Sequence, residues 1–206
     1  IPRRIWASTY PAVNKLWIAR FFLFGSRDIW FVVALPIFLD ESLGWSFEEI
    51  GAFLAVWVIG YGIIQSGAPS VVRLKGASGE IQASTRLWSF ILMTFTILLA
   101  CLVTFDVAKN FTIIIGLLFF GVLFALNSSL HSYLILAFTE DDSDVAINVG
   151  LYYSANAFGR LFGTLLSGLT YLWGGLSAAL FTCCGFLAAN WLISFSFPKK
   201  IKSGLQ

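Results

Sequence analysis

The sequence predicts an all-α, polytopic membrane protein built as a bundle of six transmembrane helices. Of its 206 residues, 58% are hydrophobic and only 12% are charged, and the mean hydropathy is +0.84. An ordinary soluble domain carries about 25% charged residues. The apolar residues also fall into long runs, and each run approaches or exceeds the roughly 20 residues that a helix needs to cross a bilayer. Short polar or glycine-containing turns separate these runs.

Six apolar segments are long enough to span a membrane. The first is interrupted by Arg20 and by the run Gly25-Ser26-Arg27-Asp28, and Pro36 is expected to bend its far end. The predicted spans are 16–39, 50–72, 87–105, 111–138, 147–173 and 176–197. Together they account for most of the chain.

The connections between the spans are short. Ser46 and Glu49 lie in an acidic turn before the second span and have the spacing of a capping box. Gly174-Gly175 turns the chain from the fifth span into the sixth. Residues 1–15 are predicted to be a lead-in from a central loop and residues 198–206 a tail. No signal-peptide pattern opens the chain, and we expect it to be part of a longer one.

Lysine and arginine are concentrated on one side of the predicted bundle. Six spans place both ends on the same side, together with the second and fourth loops. The basic residues on that side are Arg3, Arg4, Lys15, Arg73, Lys75, Arg86, Lys199, Lys200 and Lys202. The opposite side carries Lys109. Because basic residues are enriched in cytoplasmic loops, both ends are predicted to be cytoplasmic.

The composition also argues against several functional classes. The formal net charge is +2 without a long basic run, so nucleic acid is not an expected partner. The single histidine, His131, belongs to no recognisable catalytic motif, and we do not expect an enzyme. Cys101, Cys183 and Cys184 lie in apolar segments without metal-ligand spacing, so no metal or cofactor is expected. A soft metalloid at Cys183 and Cys184 is disfavoured, because adjacent side chains diverge by about 100° on a helix.

A polar stripe crosses the fifth span. Tyr152, Asn156 and Arg160 are spaced i, i+4 and i+8, whereas Gly159 and Gly163 leave a neighbouring strip without side chains. A charge at the centre of a membrane helix costs about 2.5–3.5 kcal/mol on insertion scales, so Arg160 should face water, a counter-charge or a substrate. The pattern predicts substrate contacts along the polar stripe and close helix packing along the glycine strip.

The first span places further charges at a similar depth. Arg27 lies near its midpoint, as Arg160 does in the fifth span, and arginine can bind phosphate, arsenate or carboxylate oxygens in pairs. Arg20 shares the face of Arg27 two turns nearer the cytoplasm and is a candidate entry contact. Asp28 is the candidate for coupling transport to protons. The alternative is that Asp28 only neutralises an arginine in a structural ion pair.

Asn127 and His131 form a second polar pair, on the fourth span. They are spaced i, i+4 and therefore face one way. Two interpretations stay open for them. They line the same cavity and contact the substrate, or they make interhelical hydrogen bonds, which are worth about 0.6 kcal/mol on average in membranes.

A six-span bundle with cytoplasmic ends, charges on its first and fifth helices and a basic tail resembles the C-terminal half of a major facilitator superfamily transporter, spans seven to twelve. Three segments narrow the resemblance: RDIWFVVALPIFL at 27–39, WVIGYGIIQSGAP at 57–69 and NVGLYYSANAFGRLFGTLLSG at 148–168. They are similar to the organoarsenical efflux permeases of arsenic-resistance operons.

This resemblance implies a secondary transporter that exports 1-arseno-3-phosphoglycerate, a small anionic substrate, and so confers arsenate resistance. The implied partners are a missing N-terminal six-helix half, the lipid bilayer of a bacterial inner membrane, and a functionally linked glyceraldehyde-3-phosphate dehydrogenase that forms the substrate. Two alternatives stay open. One is a major facilitator transporter of another organic anion or a drug. The other is a non-transporting six-helix scaffold, which predicts charges paired within the bundle and no central opening.

Overall fold

A computed structural model describes residues 7–71, 78–139 and 141–198 of the chain, and these residues form helices and their connections without any strand. The helices are α1 (Pro11–Phe31), α2 (Ala34–Leu43), α3 (Phe47–Val71), α4 (Ser78–Thr104), α5 (Lys109–Ala137) and α6 (Val145–Ser194), with a 3-10 turn at Asp142–Asp144. Several basic residues used to predict the orientation lie outside the described ranges. They are Arg3, Arg4, Arg73, Lys75, Lys199, Lys200 and Lys202.

Five stretches of the described residues are long and apolar enough to cross a membrane, which indicates a membrane-embedded helical protein. They are Pro11–Leu43, Phe47–Ala68, Ile81–Thr104, Lys109–Ala137 and Val145–Ser194. The predicted count of six is not matched, because the fifth and sixth predicted spans form one stretch. Within it, the backbone leaves helical geometry at Gly174 and Gly175.

α6 doubles back at this break. Gly175 has a φ of +63°, in the left-handed region that favours glycine. The carbonyl of Gly159, in the first half of α6, and the ring of Phe186, in the second half, both lie against Gly25 of α1. A straight helix would separate residues 159 and 186 by about 40 Å at 1.5 Å per residue. The two halves therefore lie side by side.

The first span is bent, as expected from Pro36. α1 and α2 are separated by Val32 and Val33. Pro36 causes this break, because its ring clashes with the carbonyl four residues before it and its backbone nitrogen has no hydrogen to donate. The hydroxyl of Ser167 on α6 accepts hydrogen bonds from the N–H groups of Val33 and Ala34, at 3.3 and 3.0 Å. A side chain on a neighbouring helix thus satisfies backbone donors that the bend exposes.

The capping box at the start of α3 is confirmed. The carboxylate of Glu49 accepts a hydrogen bond from the N–H of Ser46 at 2.8 Å, and the hydroxyl of Ser46 accepts one from the N–H of Glu49 at 3.3 Å. This reciprocal pair satisfies two N–H groups that have no partner within the helix.

Two helices begin about five residues or more before the predicted starts of their spans. α1 begins at Pro11 rather than at 16, and α4 begins at Ser78 rather than at 87. Proline suits a first helical turn, and Gln82 and Arg86 are good helix formers. Hydropathy marks where a helix enters the apolar layer, whereas propensity and capping decide where it begins.

α1 and α6 form the most extensive helix–helix contact and make up the centre of the molecule. α4 packs against α5 and the second half of α6, and α3 packs mainly against α5. α3 is the least buried of the candidate spans. Its exposed face is apolar and includes Val56, Val58, Ile59 and Ile63.

Candidate functional site

The candidate site is built where α1 crosses the first half of α6. A Cβ added at Gly163 would lie 2.6 Å from the carbonyl oxygen of Gly25 and 3.0 Å from Cβ of Asp28, and one added at Gly159 would meet the backbone of α1 equally closely. Only glycine fits at these positions without moving a helix. The two backbones therefore touch, which brings Arg160 within hydrogen-bonding distance of Asp28.

The carboxylate of Asp28 is shared between two arginines. Its Oδ1 accepts a hydrogen bond from Nε of Arg27 at 2.7 Å, and its Oδ2 accepts one from Nε of Arg160 at 3.0 Å. The side chain of Asp28 is 1% exposed, that of Arg27 13% and that of Arg160 59%. We call these three residues the arginine cluster. Its two guanidinium groups converge on one carboxylate, so two positive charges face one negative charge.

The terminal nitrogens of both guanidinium groups in the arginine cluster make no hydrogen bond in the described structure. Arg27 and Arg160 both use Nε for Asp28, and their Nη atoms donate no hydrogen bond within the part of the chain that the structure describes. The two Nη atoms form one edge of the fork that binds carboxylate or phosphate oxygens in pairs. An oxyanion could therefore bind here while the chain keeps its present fold.

Arg20 lies two turns before Arg27 and is 3% exposed. Its Nε donates to Oδ1 of Asn156 at 2.5 Å, and its Nη1 donates to the carbonyl of Ser128 at 3.0 Å. Among the described residues, no carboxylate pairs with it. Arg20 thus adds a buried positive charge that is held by neutral groups.

Aromatic rings connect Arg20 to the arginine cluster. The ring centre of Phe24 lies 4.0 Å from Cζ of Arg20 and 5.3 Å from Cζ of Arg27. The ring of Tyr152 lies 4.3 Å from Arg20, and its hydroxyl lies 2.7 Å from that of Ser132. Rings at these distances attract a cation through their negative faces. Phe24 lies four residues after Arg20 and three before Arg27. This helical spacing could have identified it from the sequence as a ring that contacts both arginines.

All three members of the polar stripe on α6 contact α1. Tyr152 and Asn156 contact Arg20, and Arg160 contacts Asp28. The sequence predicts the stripe itself. The structure adds the residues of α1 that the stripe contacts. The glycine strip beside it, Gly159 and Gly163, is what lets the partners approach.

Asn127 belongs to a buried network that joins three helices. The hydroxyl of Ser89 donates to Oδ1 of Asn127 at 2.9 Å, and Nδ2 of Asn190 donates to the hydroxyl of Ser89 at 3.2 Å. Nδ2 of Asn127 donates to the carbonyl of Trp88 at 3.0 Å. These contacts match the interhelical hydrogen-bond interpretation. Asn190 is a single amide in an apolar span, and this isolated polar residue could have indicated the network from the sequence.

His131 is fully buried and packs edge-on against Phe197, with ring centres 6.4 Å apart. Neither of its ring nitrogens has a hydrogen-bond partner among the described residues. No contact joins it to the arginine cluster in the same part of the chain. Cys183 and Cys184 are buried free thiols. Within the described ranges, no group of three or more His, Cys, Asp or Glu side chains could hold a metal.

Neither a scan of protein-family models nor a comparison with curated proteins gives a match to this chain.

Proposed function

We propose that this chain is one half of a secondary transporter that moves a small organic anion across a membrane by alternating access. The observation that carries the proposal is the arginine cluster, in which two guanidinium groups share a single carboxylate. Buried charges in membrane proteins are costly unless they are paired or reach water. Arg160 is more than half exposed, so the excess positive charge of the cluster is accessible from the surface of this half.

The proposal takes the two halves of α6 as separate spans, which gives six spans with both ends on the cytoplasmic side. Contacts at one end of the bundle support this arrangement. Nζ of Lys15 donates to the carbonyl of Ser196 at 2.9 Å, and the side chain of Gln82 donates to the carbonyl of Pro198 at 2.8 Å. A second six-helix bundle, from the N-terminal half of the transporter, would supply the other wall of the cavity.

The resemblance to organoarsenical permeases narrows the proposed substrate to 1-arseno-3-phosphoglycerate, made by a linked glyceraldehyde-3-phosphate dehydrogenase. This molecule is small and multiply anionic, which fits a site with Arg27, Arg160 and the more fully buried Arg20. Other sugar phosphates and organic anions would satisfy the same charges. The charge pattern supports an anion, and the sequence resemblance alone supports the arsenical.

A non-transporting scaffold is the second candidate, because it predicts that buried charges pair within the bundle. The contacts of Asp28 with Arg27 and Arg160 fit that prediction in part. A scaffold, however, predicts balanced charges, whereas in the described residues the one buried acid pairs with two arginines, and the buried Arg20 pairs with no acid. This imbalance favours an anion-binding site.

Uptake into everted membrane vesicles tests the transporter proposal. Vesicles that contain the complete transporter are expected to accumulate enzymatically made 1-arseno-3-phosphoglycerate, whereas Arg27→Ala and Arg160→Ala are expected to lose at least about 90% of uptake with normal insertion. A tenfold loss corresponds to about 1.4 kcal/mol of lost stabilisation. Lys109→Ala, which removes an exposed charge paired with Asp106, is the control and should retain uptake.

Two results would contradict parts of this proposal. Accumulation of another anion without the arsenical would remove the proposed substrate but keep the anion transporter. Full activity of both arginine variants would show that the arginine cluster has a structural role.

A further inference from the structure

A groove lies between α4 and α5, close to the connection that joins these two helices. Its volume is about 130 Å³, and its wall is almost wholly apolar. On α4 the wall consists of Phe95, Leu98, Leu99 and Leu102, which recur at the spacing of one helix face. The groove therefore follows the helix axis for about two turns, or roughly 10 Å.

α5 leaves room for the groove at Gly116, which shares one helix face with Thr112 and Phe119. A Cβ added at Gly116 would lie 2.5 Å from Cδ1 of Leu99, so a larger residue would meet the side chain of α4 there. Thr112 supplies the polar side chain of the wall, and its hydroxyl donates to the carbonyl of Val107 at 2.6 Å. The lining side chains, all within the described residues, therefore offer no charge and no free donor to an occupant.

A tight connection holds the two helices together at one end of the groove. The N–H of Val107 donates to the carbonyl of Leu102 at 3.0 Å, and Asp106 and Ala108 have positive φ angles of 55° and 43°. Asp106 and Lys109 form an exposed ion pair at 2.9 Å, about one turn beyond the groove. Charged side chains avoid the hydrocarbon layer, so this pair marks its edge. The groove begins just inside that edge and runs inward.

The groove opens on a surface that is itself apolar and exposed. Among its lining residues, Leu98 is 54% exposed and Phe119 is 59% exposed, and the neighbouring Leu118 and Phe105 are exposed too. All lining positions fall within the stretches Ile81–Thr104 and Lys109–Ala137, which are long and apolar enough to cross a membrane. The groove is thus continuous with the surface that these helices present to lipid.

We infer that this groove binds one acyl chain of a membrane phospholipid. An apolar cavity of about 150 Å³ in a protein interior stays dry and takes up small apolar molecules. Here the bilayer itself supplies an apolar chain, aligned with the helices that form the groove. The headgroup of such a lipid would lie at the level of the connection between α4 and α5. This inference goes beyond the proposed function and does not use the arginine cluster.

Packing is the source of the affinity. Lipid chains are as apolar as leucine, so transfer from the surrounding lipid into the groove gains no hydrophobic free energy. The chain gains dispersion contacts with the rings of Phe95 and Phe119 and with the leucines of α4, which a gap would forfeit. Binding is therefore selective for shape, and a side chain that fills the groove should abolish it.

Photochemical cross-linking in detergent micelles tests the inference. The complete protein is titrated with a phospholipid that carries a diazirine at the middle of one acyl chain, and mass spectrometry identifies the labelled residues. Labelling of Leu98 and Phe119 should rise steeply and then saturate. Labelling of Phe181 and Leu192, exposed apolar residues in the second half of α6, should rise in proportion to the probe. A free fatty acid with the same diazirine should label the groove less than the phospholipid does.

Gly116→Leu is the variant that fills the groove. Its labelling at Leu98 and Phe119 should fall at least about fivefold, which corresponds to about 1 kcal/mol of lost binding, whereas labelling at Leu192 stays unchanged. Gly168→Leu is the matched control, because an added Cβ at Gly168 meets nothing within 4 Å and this residue is not part of the wall. The control should be labelled as the wild type is.

Four results would overturn the inference. Groove labelling that rises in proportion to the probe, as at Leu192, would show contact with bulk lipid or detergent alone. Labelling of α6 without the groove would show that protein covers it, from the other half of the transporter or a second copy. Stronger saturable labelling by the fatty acid would assign the groove to that ligand. Unchanged labelling in Gly116→Leu would show that the groove is not the binding site. The first three results are read on the wild type and do not depend on insertion of the variant.

Discussion

Ser89 contributes more to helix packing than a single hydroxyl group usually does. It lies on α4, donates to Asn127 on α5 and accepts from Asn190 in the second half of α6. All three side chains are fully buried. In an apolar interior without competing water, each such bond ties two helices to one register. The network therefore fixes how three helices meet.

Ser89→Ala is expected to lower the free energy of unfolding by about 1 kcal/mol, since interhelical hydrogen bonds in membranes average about 0.6 kcal/mol each and this change removes two. Unfolding of the complete protein in mixed micelles with a denaturing detergent would measure the change. Ser154→Ala is the matched control, because the exposed hydroxyl of Ser154 bonds only to the carbonyl of Gly150 on its own helix. Equal stability of the two variants would show that the network does not stabilise the bundle.

The crossing of α1 and α6 determines the site at the scale of whole helices. Gly25, Gly159 and Gly163 bring the two backbones into contact, and the polar stripe of α6 then faces the charged face of α1. Without a hydrophobic driving force between helices in lipid, close packing of small residues is a main source of helix association. The same contact that holds the helices together therefore also sets the distance from Asp28 to Arg160.

Gly163→Ala is expected to destabilise the protein by about 1–3 kcal/mol, as overpacking of a tight contact usually does. Gly168→Ala lies on the same helix, where an added Cβ meets nothing within 4 Å. Because alanine is the better helix former by about 1 kcal/mol, this control should be neutral or stabilising. The same unfolding assay compares the two variants. A Gly163→Ala protein as stable as Gly168→Ala would mean that α1 can move away at no cost.

At the scale of the whole molecule, the described helices are packed unevenly. α1 and α6 are packed on several sides, whereas α3 leaves an apolar face exposed. Under the proposed function, lipid or a second helical bundle would cover that face. Lys15 contacts Ser196 and Gln82 contacts Pro198, so one end of the bundle holds the start of α1, the start of α4 and the end of α6.

The proposed orientation predicts a labelling pattern. In a functional variant without Cys101, Cys183 and Cys184, a cysteine at Asp40 should react with a membrane-impermeant maleimide only from outside the cell. A cysteine at Ser143 should react only in everted vesicles. This direction is the one that the enrichment of basic residues in cytoplasmic loops predicts. The reverse pattern would invert the orientation, and labelling of both positions from one side would contradict six spans.

Features that depend on local periodicity were predictable from the sequence. The apolar runs, the bend before Pro36, the capping box of Ser46 and Glu49, and the polar stripe with its neighbouring glycine strip all arise within a few turns of one helix. Their physical causes are hydropathy, the missing N–H of proline and the 3.6-residue repeat. Helix starts were predicted less well, because α4 extends into polar residues that a hydropathy pattern does not mark.

By itself, the sequence determined that the chain is a helical membrane protein with three arginines and one acid inside its predicted spans. Only the tertiary structure decided that Asp28 bridges both Arg27 and Arg160 while Arg20 is held by neutral groups. These pairings link residues more than a hundred positions apart. They depend on where two helices cross, and that crossing is set by the fit of Gly25 against the glycines of α6, which no local pattern specifies.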